Sequence, residues 1–250
     1  MNIQLIRHAT LRIEYGGATF WIDPMFSAAG ANPPVVHTSN DRRNPLVPLP
    51  FEPKRMPPPD AVFVTHNHPD HWDEAAAAAL AKSTPIYCQP EDVAVFASAG
   101  FADVRAVETA VRANGVDVVR TSGRHGTGDI GKAMGPVSGF VFRAAGEPTL
   151  YVAGDTIWCA EVERALDEHR PDVTIVNAGG ARFAVGDPIT MDADGVVAVC
   201  RYAPWTKVIA VHMDAINHCL VTRADLRARL AAEELLDRVA VPEDGETAAM

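Results

Sequence analysis

The feature that most constrains the fold of this chain is an apolar run that stops abruptly at metal-ligand residues. Residues 61–64 are Ala-Val-Phe-Val, and three consecutive prolines precede them. The residues that follow within a few positions are His66, His68, Asp70 and His71. A short apolar run bounded in this way predicts a buried strand. The alanine-rich residues 74–82 predict a helix with Asp73 as its N-cap. The cluster is therefore expected at the carboxyl end of a strand, where sheet proteins often bind ligands.

The density of imidazole and carboxylate groups in residues 66–71 indicates a metal site. A single histidine is most simply a solvated or hydrogen-bonded structural residue. Three histidines and an aspartate in a His-x-His-x-Asp-His pattern after a hydrophobic strand are a stronger signal. Such ligands suit a borderline divalent ion, with Zn as the first choice and Mn or Fe as alternatives.

Composition limits the classes of partner. With 250 residues, 48% of them hydrophobic, the chain can bury a core as one domain over residues 1–250. A formal net charge of −10 argues against nucleic-acid binding. The four scattered cysteines fit buried thiols in a reducing compartment. No signal-peptide pattern or membrane-length apolar run is evident, so we expect a cytoplasmic protein without a membrane partner.

An internal repeat links the two halves of the chain, at about residues 1–120 and 121–250. Residues 12–23 and 140–155 both read as hairpins whose return strand ends in aspartate. Residues 59–66 resemble 171–177, and residues 84–87 resemble 207–210, in the same order along the chain. Each half is expected to form a sheet with helices, and the two sheets are expected to pack face to face with helices outside. A site between the halves would draw on strand ends from both.

Other segments are less directly informative. Helices are predicted at residues 90–99, 160–169, 193–202 and 222–236, the last with a capping box of Thr222 and Asp225. The proline-rich loop 25–59 shows little periodicity, and a loop of this length is usually functional or mediates assembly. It is expected to be a lid or an assembly arm, which leaves a homo-oligomer possible.

The motifs resemble those of the metallo-β-lactamase superfamily over almost the whole chain. Its fold is an α/β (α+β) four-layer αβ/βα sandwich of two mixed β-sheets with outer helices and pseudo-two-fold symmetry. His125 in Gly-Arg-His-Gly, Asp155 in Gly-Asp-Thr and His212 after an apolar run match the later motifs of the superfamily. The resemblance implies two divalent metal ions. It places His66, His68 and His125 on one ion, Asp70, His71 and His212 on the other, and Asp155 between them.

Within the superfamily, the chain looks most like the branch that contains L-ascorbate-6-phosphate lactonase. The features are Arg-His-Ala-Thr at residues 7–10, Ile-Asp-Pro at 22–24 and Gly-Asp-Thr at 154–156. The ligand set implies hydrolysis by a metal-bound hydroxide, with Asp70 or Asp155 assisting proton transfer. The expected substrate is a small molecule, anions included: a lactone or other cyclic ester, or a phosphodiester.

Several residues have two readings. His8 and Asp23 are candidates for orienting a ligand histidine, although Asp23 is equally well a turn residue before Pro24. His218 competes with His212 for the ligand role, and we favour His212 because it directly ends a predicted strand. His218, together with Asn217 and Arg223, is then expected to face the substrate.

Other functions remain open from the sequence. One is a nuclease-type phosphodiesterase, which the acidic charge disfavours. Another is an Fe-dependent oxidoreductase on the same fold, which metal analysis would separate from a hydrolase. A non-enzymatic metal-binding or scaffold role is disfavoured because the ligand set looks complete.

Overall fold

The computed structural model describes residues 1–248 and contains two β-sheets. The strands of the first sheet, in spatial order, are β1 (Asn2–Arg7), β2 (Thr10–Tyr15), β3 (Ala18–Ile22), β4 (Ala61–Val64), β5 (Ile86–Cys88) and β6 (Val104–Ala106). β1 to β3 are antiparallel, and β3 to β6 are parallel. Gly16 and Gly17 join β2 to β3 with φ of 59° and 82°. Tight primed turns need positive φ at both central residues, which accounts for the Gly-Gly pair.

The second sheet repeats the pairing of the first. Its strands, in sequence order, are β7 (Ala110–Ala113), β8 (Val116–Ser122), β9 (Ser138–Arg143), β10 (Leu150–Val152), β11 (Val173–Asn177), β12 (Lys207–Val211) and β13 (Val239–Ala240), and their spatial order is the reverse. β9 and β10 pair antiparallel, and β10 to β13 are parallel. The set β9-β10-β11-β12 therefore corresponds to β2-β3-β4-β5. Both sheets are mixed, as expected.

Within residues 1–248, six α-helices accompany the sheets. They are α1 (Glu74–Ala79), α2 (Val93–Ser98), α3 (Gly128–Met134), α4 (Ala160–His169), α5 (Ala193–Tyr202) and α6 (Arg223–Ala232). The Asp73 carboxylate accepts from the Ala76 amide at the start of α1, and Thr222 and Asp225 form a reciprocal capping box at α6. None of the helices in residues 1–248 is long and apolar enough to cross a membrane.

Three apolar clusters define four layers. Phe20 and Phe63 of the first sheet pack against Phe140 and Phe142 of the second, between the two sheets. A second cluster joins the outer face of the second sheet to α4, α5 and α6, and a third joins the first sheet to α1 and α2. A strand that is buried on both faces of its sheet is apolar at nearly every position, and all four residues of β4 are apolar and buried. The αβ/βα sandwich expected from the resemblance is confirmed.

Several boundaries differ from the sequence predictions. The sheets divide the chain between Ala106 and Ala110, whereas the repeat placed the division near residue 120. β7 and α3 were not predicted, because β7 is a four-residue strand with a single buried residue and α3 contains two glycines and no buried residue. The last helix ends at Ala232 rather than at residue 236.

The proline-rich loop 25–59 is held by buried polar groups. Its regular structure within the described residues is a single 3-10 turn, Pro53–Arg55, and an isolated bridge. The fully buried Arg7 guanidinium donates to the backbone carbonyls of Met25, Ser27 and Val47. Arginine can satisfy several carbonyls at once because its guanidinium presents five donors in a fixed plane. The loop is therefore tied to the end of β1.

Candidate metal centre

Strand ends from both sheets meet at one edge of the sandwich. His8 follows β1, Asp23 follows β3, and His66 follows β4 after one residue. On the second sheet, Asp155 follows β10 and His212 follows β12. The His212 amide donates to the His8 carbonyl at 2.9 Å, which joins the two edges directly. The internal repeat thus brings residues 66–71 and the later motif residues to one place.

The potential ligand atoms of this cluster fall into three overlapping groups, each with all atoms within 4.8 Å of one another. The groups are His66, His68 and His125; His66, His71 and Asp155; and His8, Asp70, His71 and His212. All seven predicted metal ligands are included, and His8 joins them. We refer to these eight residues as the His/Asp cluster. Backbone φ is positive at His8 (61°) and His212 (70°), and such strain in non-glycine residues is commonly retained at functional sites.

Hydrogen bonds determine the tautomers of two histidines. The Nδ1 atom of His71 lies 2.8 Å from Oδ2 of Asp23, and that of His125 lies 2.8 Å from the Ile189 carbonyl. Because a carbonyl oxygen and a carboxylate can only accept, each Nδ1 must carry the proton and donate it. The Nε2 atom of each neutral ring then presents a lone pair, which is the arrangement that a metal-binding histidine needs.

Thr65 orients His66 in the same way. Its hydroxyl donates to Oδ2 of Asp23 at 2.8 Å and also lies 3.0 Å from Nδ1 of His66. Since the only hydroxyl proton goes to the carboxylate, Nδ1 of His66 must donate to Thr65. Nε2 of His66 therefore also presents a lone pair to the cluster.

These lone pairs face one another and a carboxylate at close range. Oδ2 of Asp155 lies 3.2 Å from Nε2 of His71, 3.5 Å from Nε2 of His125 and 3.9 Å from Nε2 of His66. Nε2 of His66 also lies 2.9 Å from Nδ1 of His68. Electron-rich atoms this close repel unless a proton or cation lies between them. The donor set of imidazole nitrogens and carboxylate oxygens fits a divalent metal ion of the Zn, Mn or Fe type.

The electrostatics of the buried carboxylates also favour a cation. Burial alone would raise the pKa of Asp155, but His212 and His71 outweigh it and hold the pKa well below its usual value. Asp70 behaves in the same way, through His71, His212 and His8. Burial likewise opposes a charge on His71, yet Asp155, Asp23 and Asp70 raise its pKa well above the usual value. The buried carboxylates thus favour a positive charge at this position, which a divalent ion would supply.

Sequence reasoning missed two residues that support the cluster, Thr65 and Asn177. The Asn177 side-chain amide donates to Oδ1 of Asp155 at 2.6 Å. In the internal repeat Asn177 aligns with Thr65, and Asp155 aligns with Asp23. In each half, the polar residue that ends one strand therefore donates to the aspartate that ends its neighbour. The repeat itself contained the signal that would have identified both residues.

The remaining candidates have different environments. His8 lies 3.2 Å from Oδ2 of Asp70 through its Nε2 atom, and Asp23 contacts His71, so both adjoin predicted ligands. His218 lies outside all three ligand groups, whereas His212 lies within one.

Arg223 does not face the site, contrary to expectation. Its buried guanidinium donates to Asp214, Asp244 and the Pro242 carbonyl, so structural contacts occupy its donors. Asn217 is turned toward the proline-rich loop. The side-chain oxygen of Asn217 accepts from the Val35 amide and the Asn44 side chain, and its NH2 group donates to Thr38 and the Asn40 carbonyl.

A cavity of about 1020 Å³ opens beside the His/Asp cluster. His68, Asp70, His125 and Asp155 form part of its lining. Apolar side chains form much of the rest, including those of Met25, Pro34, Trp72, Phe183, Ile189 and Ile216. None of the described residues that line the cavity is lysine or arginine. Its volume is ample for a small organic molecule.

Comparisons with known proteins agree with this geometry. A family model described as a beta-lactamase superfamily domain matches residues 19–213. UPF0173 protein YddR of Bacillus subtilis is 36% identical over 252 residues, which cover 99% of each chain. A UPF0173 metal-dependent hydrolase of Xanthobacter autotrophicus is 25% identical, over 98% of this chain and 96% of the relative.

A solved structure is similar over the full length of the chain. The isothiocyanate hydrolase from Delia radicum gut bacteria superposes with a TM-score of 0.95 at 36% identity, covering 100% of this chain and 99% of that one. With the family match over most of the chain and the His/Asp cluster at its expected place, the protein belongs to the metallo-β-lactamase superfamily, within the UPF0173 family of metal-dependent hydrolases.

Proposed function

We propose that this metal-dependent hydrolase acts on small, neutral molecules that join an electrophilic carbon to an apolar tail, with isothiocyanates as the first class to test. The observation that carries the proposal is the cavity beside the His/Asp cluster, which is largely apolar and has no lysine or arginine among its described lining residues. An apolar tail gains free energy by leaving water for such a cavity, at about 25 cal/mol per Å² buried.

We propose that the metal ligands are those expected from the sequence. His66, His68 and His125 would hold one ion, Asp70, His71 and His212 a second, and Asp155 would be shared. A bound divalent ion supplies an acidified water, whose pKa falls from 15.7 toward ~7, and polarises the substrate. Zn is the first candidate, with Mn or Fe as alternatives.

The protein groups around the cluster would position and deprotonate the attacking water. Asp70 and Asp155 both line the cavity, and their lowered pKa values keep them ionised as proton acceptors at neutral pH. His8 would hold the Asp70 carboxylate in place through their 3.2 Å contact. For an isothiocyanate, the water oxygen adds to the central carbon and both hydrogens pass to nitrogen. The bond between nitrogen and the central carbon breaks, whereas the bond between nitrogen and the apolar tail is kept. The products are a primary amine and carbonyl sulfide.

Isothiocyanates rank first because a relative that is 36% identical over the full length is named an isothiocyanate hydrolase. Lactones rank second: their carbonyl carbon is also a neutral electrophile, and the lactonase-like motifs of residues 7–10 and 154–156 favour them. Phosphodiesters and other anions rank last. Proteins usually recognise phosphate with Arg or Lys, whereas the charged residues lining this cavity include Asp70, Asp73, Glu74 and Asp155. The same argument disfavours a nuclease.

A substrate panel tests the proposal. Protein loaded with Zn or Mn is assayed on 2-phenylethyl isothiocyanate, a γ-lactone with an alkyl tail, and bis(4-nitrophenyl) phosphate. We expect the isothiocyanate to be consumed with release of 2-phenylethylamine. Asp155→Ala should abolish that turnover, whereas exposed Asp117→Ala, which lies on β8 away from the cavity, should retain it. Turnover of the phosphodiester alone, or full isothiocyanate turnover after metal removal, would refute the proposal. Turnover that requires Fe and a redox co-substrate would favour the oxidoreductase alternative.

A further inference from the structure

His218 lines the cavity but does not belong to the His/Asp cluster. Its side chain is only 6% exposed, and it lies outside every group of potential ligand atoms among residues 1–248. Its Nδ1 atom is fully buried and has no hydrogen-bond partner in the described structure. A buried, unpaired ring nitrogen is costly, and native proteins rarely leave such a group unsatisfied. Nδ1 has no exposed surface that a ligand could reach. Nε2 is not among the fully buried unpaired atoms and makes no hydrogen bond in the described structure, so it is the ring nitrogen that a ligand in the cavity can contact.

The backbone around His218 is held firmly although its ring is unpaired. The His218 carbonyl accepts from the Arg182 amide at 3.0 Å, and the next residue, Cys219, forms a bridge with Ala181. On the other side, Asn217 is clamped to the proline-rich loop through its side chain and through its backbone carbonyl, which accepts from the Asn40 side chain. The ring is therefore presented to the cavity by a rigid segment.

The chemistry of the ring suits a neutral partner. Burial, which outweighs the opposing effect of Asp70, lowers the pKa of His218 to about 4, so the imidazole is uncharged at neutral pH. A neutral imidazole offers one N–H donor and one acceptor nitrogen. Ile216, two residues before His218, is apolar and also lines the cavity. Asn44, another polar lining residue, uses its side-chain amide on Asn217. His218 is thus a polar group still free to meet a ligand.

We propose that His218 is a substrate-contacting residue that hydrogen-bonds a heteroatom of the substrate head group while the reactive carbon faces the His/Asp cluster. Asn217 is the positioning residue. It fixes the backbone next to His218 and the part of the proline-rich loop near Val35 that lines the cavity. The inference rests on the proposed function, because it assumes a neutral head group with a hydrogen-bonding atom. It adds the residue that orients that head group.

Two variants separate the hydrogen bond from packing. His218→Phe keeps a ring of similar size and burial but removes both nitrogens, and His218→Gln restores a hydrogen-bonding group near the position of Nε2. His169→Phe is the matched control, since His169 contacts Arg143 near the end of α4 and is not among the residues lining the cavity. Metal content and thermal melting of each variant are measured first, and all three are expected to retain the wild-type metal content.

The test combines turnover with binding of two nearly isosteric probes. Phenylacetonitrile and 3-phenyl-1-propyne share a tail and differ in whether the terminal atom is an acceptor nitrogen. On the metal-loaded wild type, calorimetry should show tighter binding of the nitrile. In His218→Phe we expect the nitrile to lose about tenfold in affinity, the size of one hydrogen bond, while the alkyne binds as before. The kcat/KM for 2-phenylethyl isothiocyanate should fall by a similar or larger factor, and His218→Gln should recover part of both losses.

The outcomes distinguish this inference from the proposed function. If the wild type turns over the isothiocyanate and His218→Phe binds and reacts equally well, His218 does not contact the substrate and the inference is wrong while the proposed function stands. Equal weakening of both probes would show a packing role and would also overturn it. If the wild type neither binds the probes nor reacts with the isothiocyanate, the proposed substrate class fails, and the inference fails with it.

Discussion

We expect Asp23→Asn to weaken metal binding, although Asp23 is not itself one of the proposed metal ligands. Oδ1 of Asp23 accepts from the Thr65 amide at 2.7 Å, and Oδ2 accepts from the Thr65 hydroxyl at 2.8 Å and from Nδ1 of His71 at 2.8 Å. Asparagine replaces one of the two oxygens with an NH2 donor. Donor groups lie against both carboxylate oxygens of Asp23. An asparagine side chain has only one oxygen, so neither orientation of its amide accepts from all three donors.

The two orientations have different costs. With the NH2 group toward His71, the ring must move its proton from Nδ1 to Nε2, the atom that lies 3.2 Å from Oδ2 of Asp155 in the cluster. Loss of such an orienting carboxylate typically lowers metal affinity by 10–100-fold, or about 1.4–2.8 kcal/mol. With the NH2 group toward Thr65, His71 keeps its tautomer but the buried Thr65 amide loses its acceptor, at about 1–3 kcal/mol of stability.

Metal affinity and stability are therefore measured together. Competition with a chromophoric chelator gives the Zn dissociation constant, and urea unfolding gives the free energy of unfolding of the metal-free protein. Asp60→Asn is the matched control, because its carboxylate accepts from a single backbone amide, that of Thr19, at an exposed site. Unchanged metal affinity together with unchanged stability in Asp23→Asn would show that Asp23 orients neither His71 nor Thr65.

Further expectations concern the cluster, the loop and His218. His68→Ala should lose both metal retention and turnover, measured by elemental analysis and by assay; full activity would contradict the ligand assignment. Asn217→Ala removes four side-chain hydrogen bonds to the proline-rich loop and should cost about 3 kcal/mol in urea unfolding and raise KM more than it lowers kcat; an unchanged KM would argue against the loop as a cavity wall. His218 has a pKa of 6.5 in the unfolded chain and of about 4 in the folded protein. Between these values the unfolded state binds the proton and the folded state does not, so the free energy of unfolding decreases as pH falls below 6.5. Metal-free His218→Phe should therefore lose about 2 kcal/mol less than the wild type between pH 7 and pH 5 in urea titrations, and parallel losses would count against a neutral buried imidazole.

Much of the architecture could be predicted because local and repeated signals agreed. The Gly16-Gly17 turn, the Asp73 cap and the apolar run before residue 66 each identify an element without reference to the rest of the chain. The repeat then implied two facing sheets. β7 and α3 escaped prediction because they bury little apolar surface, so hydrophobic periodicity did not reveal them.

The seven predicted ligands could be singled out because histidines and aspartates follow the strands in dense motifs. The structure brings all seven together, and their metal binding stays a prediction. The residues around them were harder to assign. Arg223 was expected at the substrate together with His218, yet its partners Asp214 and Asp244 come from separate loops. Long-range pairing of this kind is invisible to spacing arguments. The apolar lining of the cavity combines residues of loops 25–59 and 180–189, which are distant in sequence, so spacing arguments could not reveal it.

The His/Asp cluster is proposed to bind divalent metal ions at the edge where the two sheets meet. Anomalous diffraction from crystals grown with Zn or Mn tests this binding most directly. We expect anomalous peaks about 2.0–2.3 Å from the nitrogens of His66, His125 and His212 and from the Asp155 carboxylate. Crystals that bind Zn or Mn elsewhere on the molecule and show no peak within the cluster would contradict it.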